Sequence, residues 1–423
     1  MKNRMTSAAV ALAALVAGAA DFAPKANDGK AIQAAIDAAH AAGGGRVVLE
    51  KGTYVSGTLY MKSHVELHVP EGTTILGHSD FNKYDDVDDP RIGKQPEKCT
   101  KVFISCMDAE DVAITGGGTI DGQGPMFYNT NVPPWSIRYE KPPTPRPRML
   151  QFYKCRHVRF TDVTFKDSPG WTCWMRNCED IEVSRLKIHG DIKMINNDGL
   201  HFDGCKRIRV GDSDFRTGDD SIVFRAITAP DGNLYDELGE DLVVSNCVLH
   251  SACQGVRLGC PSDGLIRNAL FKNCAFLGRN GVQCGHPFRY LRLPNRGHNA
   301  MENIVFEDCT MDLSGYPIMF FVDQGIKLRS YGNTTFRNLR FKSAKPIMLQ
   351  GTADSPVENV RLENVTGTVE KGGPMMLDCV KNISMDRVSV AVESESLTSS
   401  AIRRSIHNLF DLTESQERKG KTK

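Results

Sequence analysis

Short stretches in which apolar and polar residues alternate recur along the chain, each broken by Asn, Asp or Gly and followed by a second short stretch. CRHVRFTDVTFKDSP from Cys155, CEDIEVSRLKIHGD from Cys178 and CKRIRVGDSDFRTGDD from Cys205 show the unit clearly. It returns as EDLVVSNCVLHSA from Glu240, GLIRNALFKNCAFLG from Gly264, MENIVFEDCTMDLSG from Met301, VENVRLENVTGTV from Val357 and VKNISMDRVSVAV from Val380. A period of two in such short runs predicts strands. From Val158 to Ile181 is 23 residues and from Ile181 to Ile208 is 27, the length of one coil of a solenoid. One unit cannot bury its apolar face alone, so the coils must stack. The pattern predicts an all-β, right-handed parallel β-helix. A β-sandwich followed by a propeller fits less well, because the units lack a four-strand blade.

Residues 30–44, KAIQAAIDAAHAAGG, change period: Ile32, Ala35, Ile36 and Ala39 fall on one helical face and glycines end the run. This predicts an amphipathic helix capping the N-terminal end of the stack. Three segments exceed one coil and are expected to loop outward over the binding face: 122–148, 227–239 and 286–299. The expected organisation is a leader over 1–20, one β-helix over 21–400 and a polar tail over 401–423.

The leader expectation rests on Lys2 and Arg4 ahead of an apolar run from Ala8 to about Val16, then small residues near Ala19 and Ala20. The run is shorter than the ~18–20 residues that span a bilayer, so export to the periplasm or outside the cell is expected rather than anchoring. The 52 Lys and Arg balance 51 Asp and Glu, a net charge of +1, which gives no electrostatic reason for a nucleic-acid or membrane partner. Thirteen cysteines are an odd number. Cys155, Cys178 and Cys205 each stand three positions before Val158, Ile181 and Ile208, and such repeated placing points to buried thiols rather than a disulfide framework. No Cys/His spacing suggests structural zinc, and no metal or cofactor is expected. The sequence sets no oligomeric state.

Candidate chemistry lies in NNDGLHFDGCKRIRVGDSDFRTGDD, residues 196–220. Asp198 and Asp219 are 21 residues apart, close to one coil, so they should be neighbours on one outer face, about 4.8 Å apart. Asp220 would ordinarily point the other way, and a bend at Gly218 would let it join them. Three converging carboxylates suit glycoside hydrolysis, in which one acid stays protonated beside charged neighbours. Calcium ligation and plain solenoid turns are the other readings of such acids, and Asn303, Asn359 and Asn382 fit turn positions.

NNDG at 196–199 and GDDS at 218–221 resemble the two acidic motifs of glycoside hydrolase family 28, the polygalacturonase family. GTYVSGTLYMKSHVELHVPEGTTILG from Gly52, GGTIDGQG from Gly117 and RPRMLQFYKC from Arg146 resemble its bacterial branch. The resemblance implies a pectin-lyase-like β-helix that hydrolyses a pectic polysaccharide with inversion. It further implies Asp219 as general acid, Asp198 and Asp220 as the residues that position and deprotonate water, and no cofactor.

The family motif places Gly-His-Gly after the acids, where this chain has CQG with Gln254. It then places Arg-x-Lys where this chain has Gln283 and Gly285, so the usual cations for a sugar carboxylate are replaced. His201 stands where the family often has an acid. Arg148, Lys193, Arg225, Arg257, His286 and Arg289 lie on or beside the same coils as replacement substrate contacts, together with Gln254, Gln283 and His201. Trp171 and Trp174 offer a sugar-stacking face or a packed one. The expected partner is a polysaccharide or oligosaccharide. A β-helix polysaccharide lyase and a non-catalytic carbohydrate-binding solenoid are the alternatives.

Overall fold

The computed structural model describes residues 20–87, 101–140, 145–226, 238–259, 264–286 and 300–393. The expected leader over 1–20 (bar Ala20), the tail over 401–423, Arg289 and most of the expected loops at 227–239 and 286–299 lie outside the described residues.

The chain folds as the right-handed parallel β-helix that the coil spacing predicts. Each strand pairs in parallel with the equivalent strand one coil away. Val158 aligns with Ile181, Ile181 with Ile208 and Ile208 with Leu242. A second interior column runs Phe152, Met175, Phe202, Phe224 and Leu258. Both columns are buried. Each such large apolar side chain contributes about 1.5–3 kcal/mol by leaving water, so stacking like on like is what closes the solenoid.

The turns between strands need left-handed backbone, which Asn and Asp tolerate best among residues with a side chain. Asn303, Asn359 and Asn382 take φ of 52°, 57° and 52°. Their amides form ladders between coils, with Asn382 Nδ2 donating to Asn359 Oδ1 at 3.1 Å and Asn303 Nδ2 to Asn268 Oδ1 at 3.0 Å. Cys155, Cys178 and Cys205 are buried free thiols, and Cys155 Sγ lies 3.6 Å from Cys106 Sγ. All eleven described cysteines are free.

Helix α1, Gly29–Ala41, closes the N-terminal end. Asp28 caps it by accepting from Ala31 N at 2.8 Å, and Ile32, Ala35, Ile36 and Ala39 form its buried face. The helix stops short of the glycines, where Gly43 and Gly44 take φ of 91° and 130°.

One sheet of the solenoid carries the acidic region. Its successive strands are β1 (Arg148–Tyr153), β2 (Cys173–Arg176), β3 (Leu200–Asp203), β4 (Ile222–Arg225), β5 (Val248–Leu258) and β6 (Ala275–His286). Their alternate residues face outward and make a second set of columns: Gln151, Trp174, His201, Val223, Arg257 and Gln283 in one. Tyr153, Arg176, Asp203 and Arg225 make the other.

Candidate active site

The two acidic motifs are the turns that lead into β3 and β4. Leu200 pairs with Ile222, and the ladder continues outward through Gly199 N to Asp220 O at 2.8 Å. The register is 22 residues from Gly199 onward and 21 residues at Asn197, where Asp219 N donates to Asn197 O at 3.1 Å, so it shifts by one across Asp198. The expectation from spacing was Asp198 over Asp219; with the shift, Asp198 faces the turn that carries both Asp219 and Asp220. Asp219 Oδ2 accepts from Asn196 N at 3.3 Å. All three carboxylates therefore sit on two adjacent coils.

Asn197 holds the two turns together. It is fully buried, its Nδ2 donates to Ser168 O at 2.7 Å, and its Oδ1 accepts from Gly218 N at 3.4 Å, so one amide links three coils. Gly218 is required for closeness: a Cβ there would lie 2.0 Å from Met194 O. The turn before Asp198 is also clamped from the 122–148 segment. Arg146 Nη1 donates to Ile195 O at 2.8 Å and to Pro169 O at 3.0 Å, and its Nη2 to Asn196 Oδ1 at 3.2 Å.

The three acids differ in surroundings. Asp219 is half-buried, whereas Asp198 and Asp220 are buried. Burial pushes the Asp220 carboxyl up to about 6; Arg257 opposes this and the neighbouring Asp219 charge adds to it. Arg257 Nη1 donates to Asp220 Oδ2 at 2.7 Å. Asp198 Oδ2 lies 2.9 Å from His201 Nε2. Burial, then Arg225, Arg148 and Arg257, hold the His201 imidazole well below its ordinary pKa, so it is neutral. With its proton on Nε2 facing the carboxylate, Nδ1 is left as a buried acceptor without a hydrogen-bond partner.

The aromatic pair frames this histidine. Trp171 stacks on His201 with ring centroids 3.8 Å apart, and Trp174 meets Trp171 edge-on at 6.2 Å. Arg148 is buried with its guanidinium 4.5 Å above Trp171 and 4.7 Å from Trp174. Arg225 lies 5.0 Å from Trp171 but forms a buried ion pair with Asp203, including Nη2 to Oδ2 at 2.8 Å. Trp174 Nε1 donates to the same carboxylate at 2.5 Å. Both tryptophans are thus packed, and Arg225 serves the ion pair.

Gln254 and Gln283 are buried on the next coils, Gln283 in register with Arg257, and each has an amide oxygen without a hydrogen-bond partner. Gln254 Nε2 donates to Cys253 Sγ at 3.5 Å. Lys193 stands apart in the neighbouring turn, half-buried, with its ammonium 5.9 Å from the Tyr139 ring. Sequence reading missed Arg146, Asp203 and Cys253. The first stands in the RPRM segment, the second one register step before Arg225, and the third beside Gln254. Asp219, Asp220 and Cys253 offer ligand atoms within 4.8 Å of one another, the one such group among the described residues.

A family model, Glycosyl hydrolases family 28, matches residues 47–235, which include Asp198, Asp219 and Asp220. A polygalacturonase of Gossypium barbadense is 25% identical over 370 residues, 81% of this chain and 80% of that one. A polygalacturonase of Arabidopsis thaliana is 21% identical over 279 residues, 62% of this chain. The chain spans 58% and 61% of the length of the first curated relatives it matches. Among solved structures, a hyperthermoactive exopolygalacturonase from Thermotoga maritima superposes with a TM-score of 0.68 at 22% identity, over 86% of this chain and 88% of that one. No described helix is long and apolar enough to cross a membrane.

Proposed function

We propose, from the premise that the chain belongs to glycosyl hydrolases family 28, that it hydrolyses glycosidic bonds of a pectin-related polysaccharide or oligosaccharide with inversion at the anomeric carbon. The observation that carries this reading is the placing of Asp198, Asp219 and Asp220 on two adjacent turns that bond directly to each other, Gly199 N to Asp220 O at 2.8 Å and Asp219 N to Asn197 O at 3.1 Å. A binding solenoid has no use for three acids so arranged, because their mutual repulsion costs stability.

Asp219 is the half-exposed member and the one a leaving oxygen can reach. Burial keeps a proton on Asp220 up to about pH 6. In the competent form Asp220 has lost it and is an anion balanced by Arg257 at 2.7 Å, while Asp219 serves as the acid. Asp198 and Asp220 then hold a water and take its proton as it attacks the face opposite the leaving group. His201 donates to Asp198 and fixes the direction of its carboxylate.

Arg148, with its guanidinium 4.5 Å above Trp171, and Arg257, beside Asp220, put positive charge next to the acids, and this favours an acidic sugar. On the following coils the unpartnered oxygens of Gln254 and Gln283 call for hydroxyl donors. The leader pattern over 1–20 supports export, and N-terminal sequencing of the secreted protein tests it.

The test of function is a screen of defined pectic oligosaccharides with wild type and Asp219→Asn. Loss of general-acid catalysis lowers kcat by ~10²–10⁴-fold. Full activity in the variant, or an unsaturated product, contradicts the reading; the latter is the mark of a lyase.

A further inference from the structure

We infer that Asp219, Asp220, Cys253 and Gln254 form a site for a thiophilic divalent cation, Zn²⁺ or Cd²⁺. The first three place a ligand atom each within 4.8 Å of one another. A second observation points to a ligand. Gln254 is 5% exposed, its Nε2 donates to Cys253 Sγ at 3.5 Å, and its Oε1, on the same amide, has no hydrogen-bond partner. The second carboxylate oxygen of Asp220, a residue only 1% exposed, likewise has none. A cation would satisfy both oxygens at once.

The donor set selects the metal. One sulfur, two carboxylates and one amide oxygen give four ligands of the kind zinc takes in tetrahedral geometry. Calcium takes 6–8 oxygens, and a thiol is no use to it. Ligand atoms around tetrahedral zinc stand roughly 3.5 Å apart, so the cluster has to contract by about an ångström. The shift falls on Asp219, the less buried carboxylate, which has to give up its bonds from Asn196 N at 3.3 Å and Asp220 N at 3.1 Å. Binding exchanges the Cys253 thiol proton for the metal and releases it to solvent.

The site is inhibitory by its position. This consequence rests on the hydrolytic reading: a metal on Asp219 and Asp220 leaves neither free to hold a proton or a water. Cys253 and Gln254 are this chain's own residues at the positions where the resemblance expects glycine and histidine, so the sensitivity to such metals follows from these two replacements.

Cd²⁺ titration of chelator-treated full-length protein tests the site without reference to activity. The readouts are the ultraviolet thiolate-to-cadmium absorbance and calorimetric affinity, in wild type, Cys253→Ser and Cys253→Ala, each checked for folding by its melting temperature. The expected result is one equivalent of cadmium–thiolate absorbance that both variants lose, with affinity weakened ~10-fold or more. Cadmium bound equally well by the folded variants, or Ca²⁺ bound as tightly as Cd²⁺ by wild type, would overturn the assignment. Cadmium bound through Cys253 by a protein that cleaves no glycan would support the site and overturn the hydrolase reading instead.

Discussion

Arg257 reaches back one coil and donates from Nη1 to Asp220 Oδ2 at 2.7 Å, setting a cation against a carboxyl that burial otherwise keeps protonated. Asp220 loses its proton as pH rises through about 6 and only then can take one from water, so kcat/KM should rise with pH through an acid limb near that value. Arg257→Gln removes the charge that lowers the pKa, and the limb should move up by ~1 unit or more. A pH–rate profile of both proteins checks this. A limb that moves down, or stays fixed, contradicts the assignment of the limb to Asp220.

Stability should carry the same signature. Burial holds the Asp220 pKa in the folded protein at about 6, above the ~3.9 of an ordinary aspartate. The folded state therefore holds a proton that the unfolded chain has released, and stability falls as pH rises between these values. The cost at neutral pH is roughly 3 kcal/mol as an upper figure. Asp220→Asn should gain stability relative to wild type between about pH 4 and pH 7, as read from urea unfolding at both ends. A difference independent of pH would contradict the burial argument.

Much of this was legible from the residues. Strand alternation with Asn and Asp at turns fixes a solenoid, because only a left-handed backbone joins strands so tightly, and those residues adopt it. The coil spacing brings the DG and GDD motifs together. The exact partner of Asp198 was not legible, because Asp219 and Asp220 lie just outside β4, where the register between the two coils changes by one residue. The role of Arg225 was partly hidden for another reason. Its pairing with Asp203 follows from the 22-residue register, Asp203 on Arg225, which only appears once Leu200 is set on Ile222. The packing of Trp171 on His201 depends on side-chain directions that spacing does not contain.

His201 should act without titrating. Its imidazole is held neutral by burial and by Arg225, Arg148 and Arg257. His201→Phe keeps a ring against Trp171 and removes the hydrogen bond to Asp198. Losing a hydrogen bond to a charged group should lower kcat ~10- to 100-fold, with the same relative loss at every pH from 5 to 8. A wild-type imidazole limb near neutrality that the variant lacks would show that His201 titrates, against this account.

Gly218 makes a structural prediction with a built-in control. A Cβ at Gly218 meets Met194 O at 2.0 Å, whereas one at Gly211 has no neighbour nearer than Ser245 Oγ at 3.8 Å. Gly218→Ala should cost ~1–3 kcal/mol and displace Asp219 enough to depress kcat, while Gly211→Ala should do neither. Urea unfolding with paired kinetics checks both, and equal behaviour of the two variants would remove Gly218 from the account.

The most direct test of the central claim is the anomeric configuration of the first sugar released from a defined pectic oligosaccharide, followed by proton NMR before mutarotation. Water held by Asp198 and Asp220 opposite a leaving group protonated by Asp219 predicts inversion. Retention would mean that one of these carboxylates attacks carbon directly, and would contradict the arrangement proposed here.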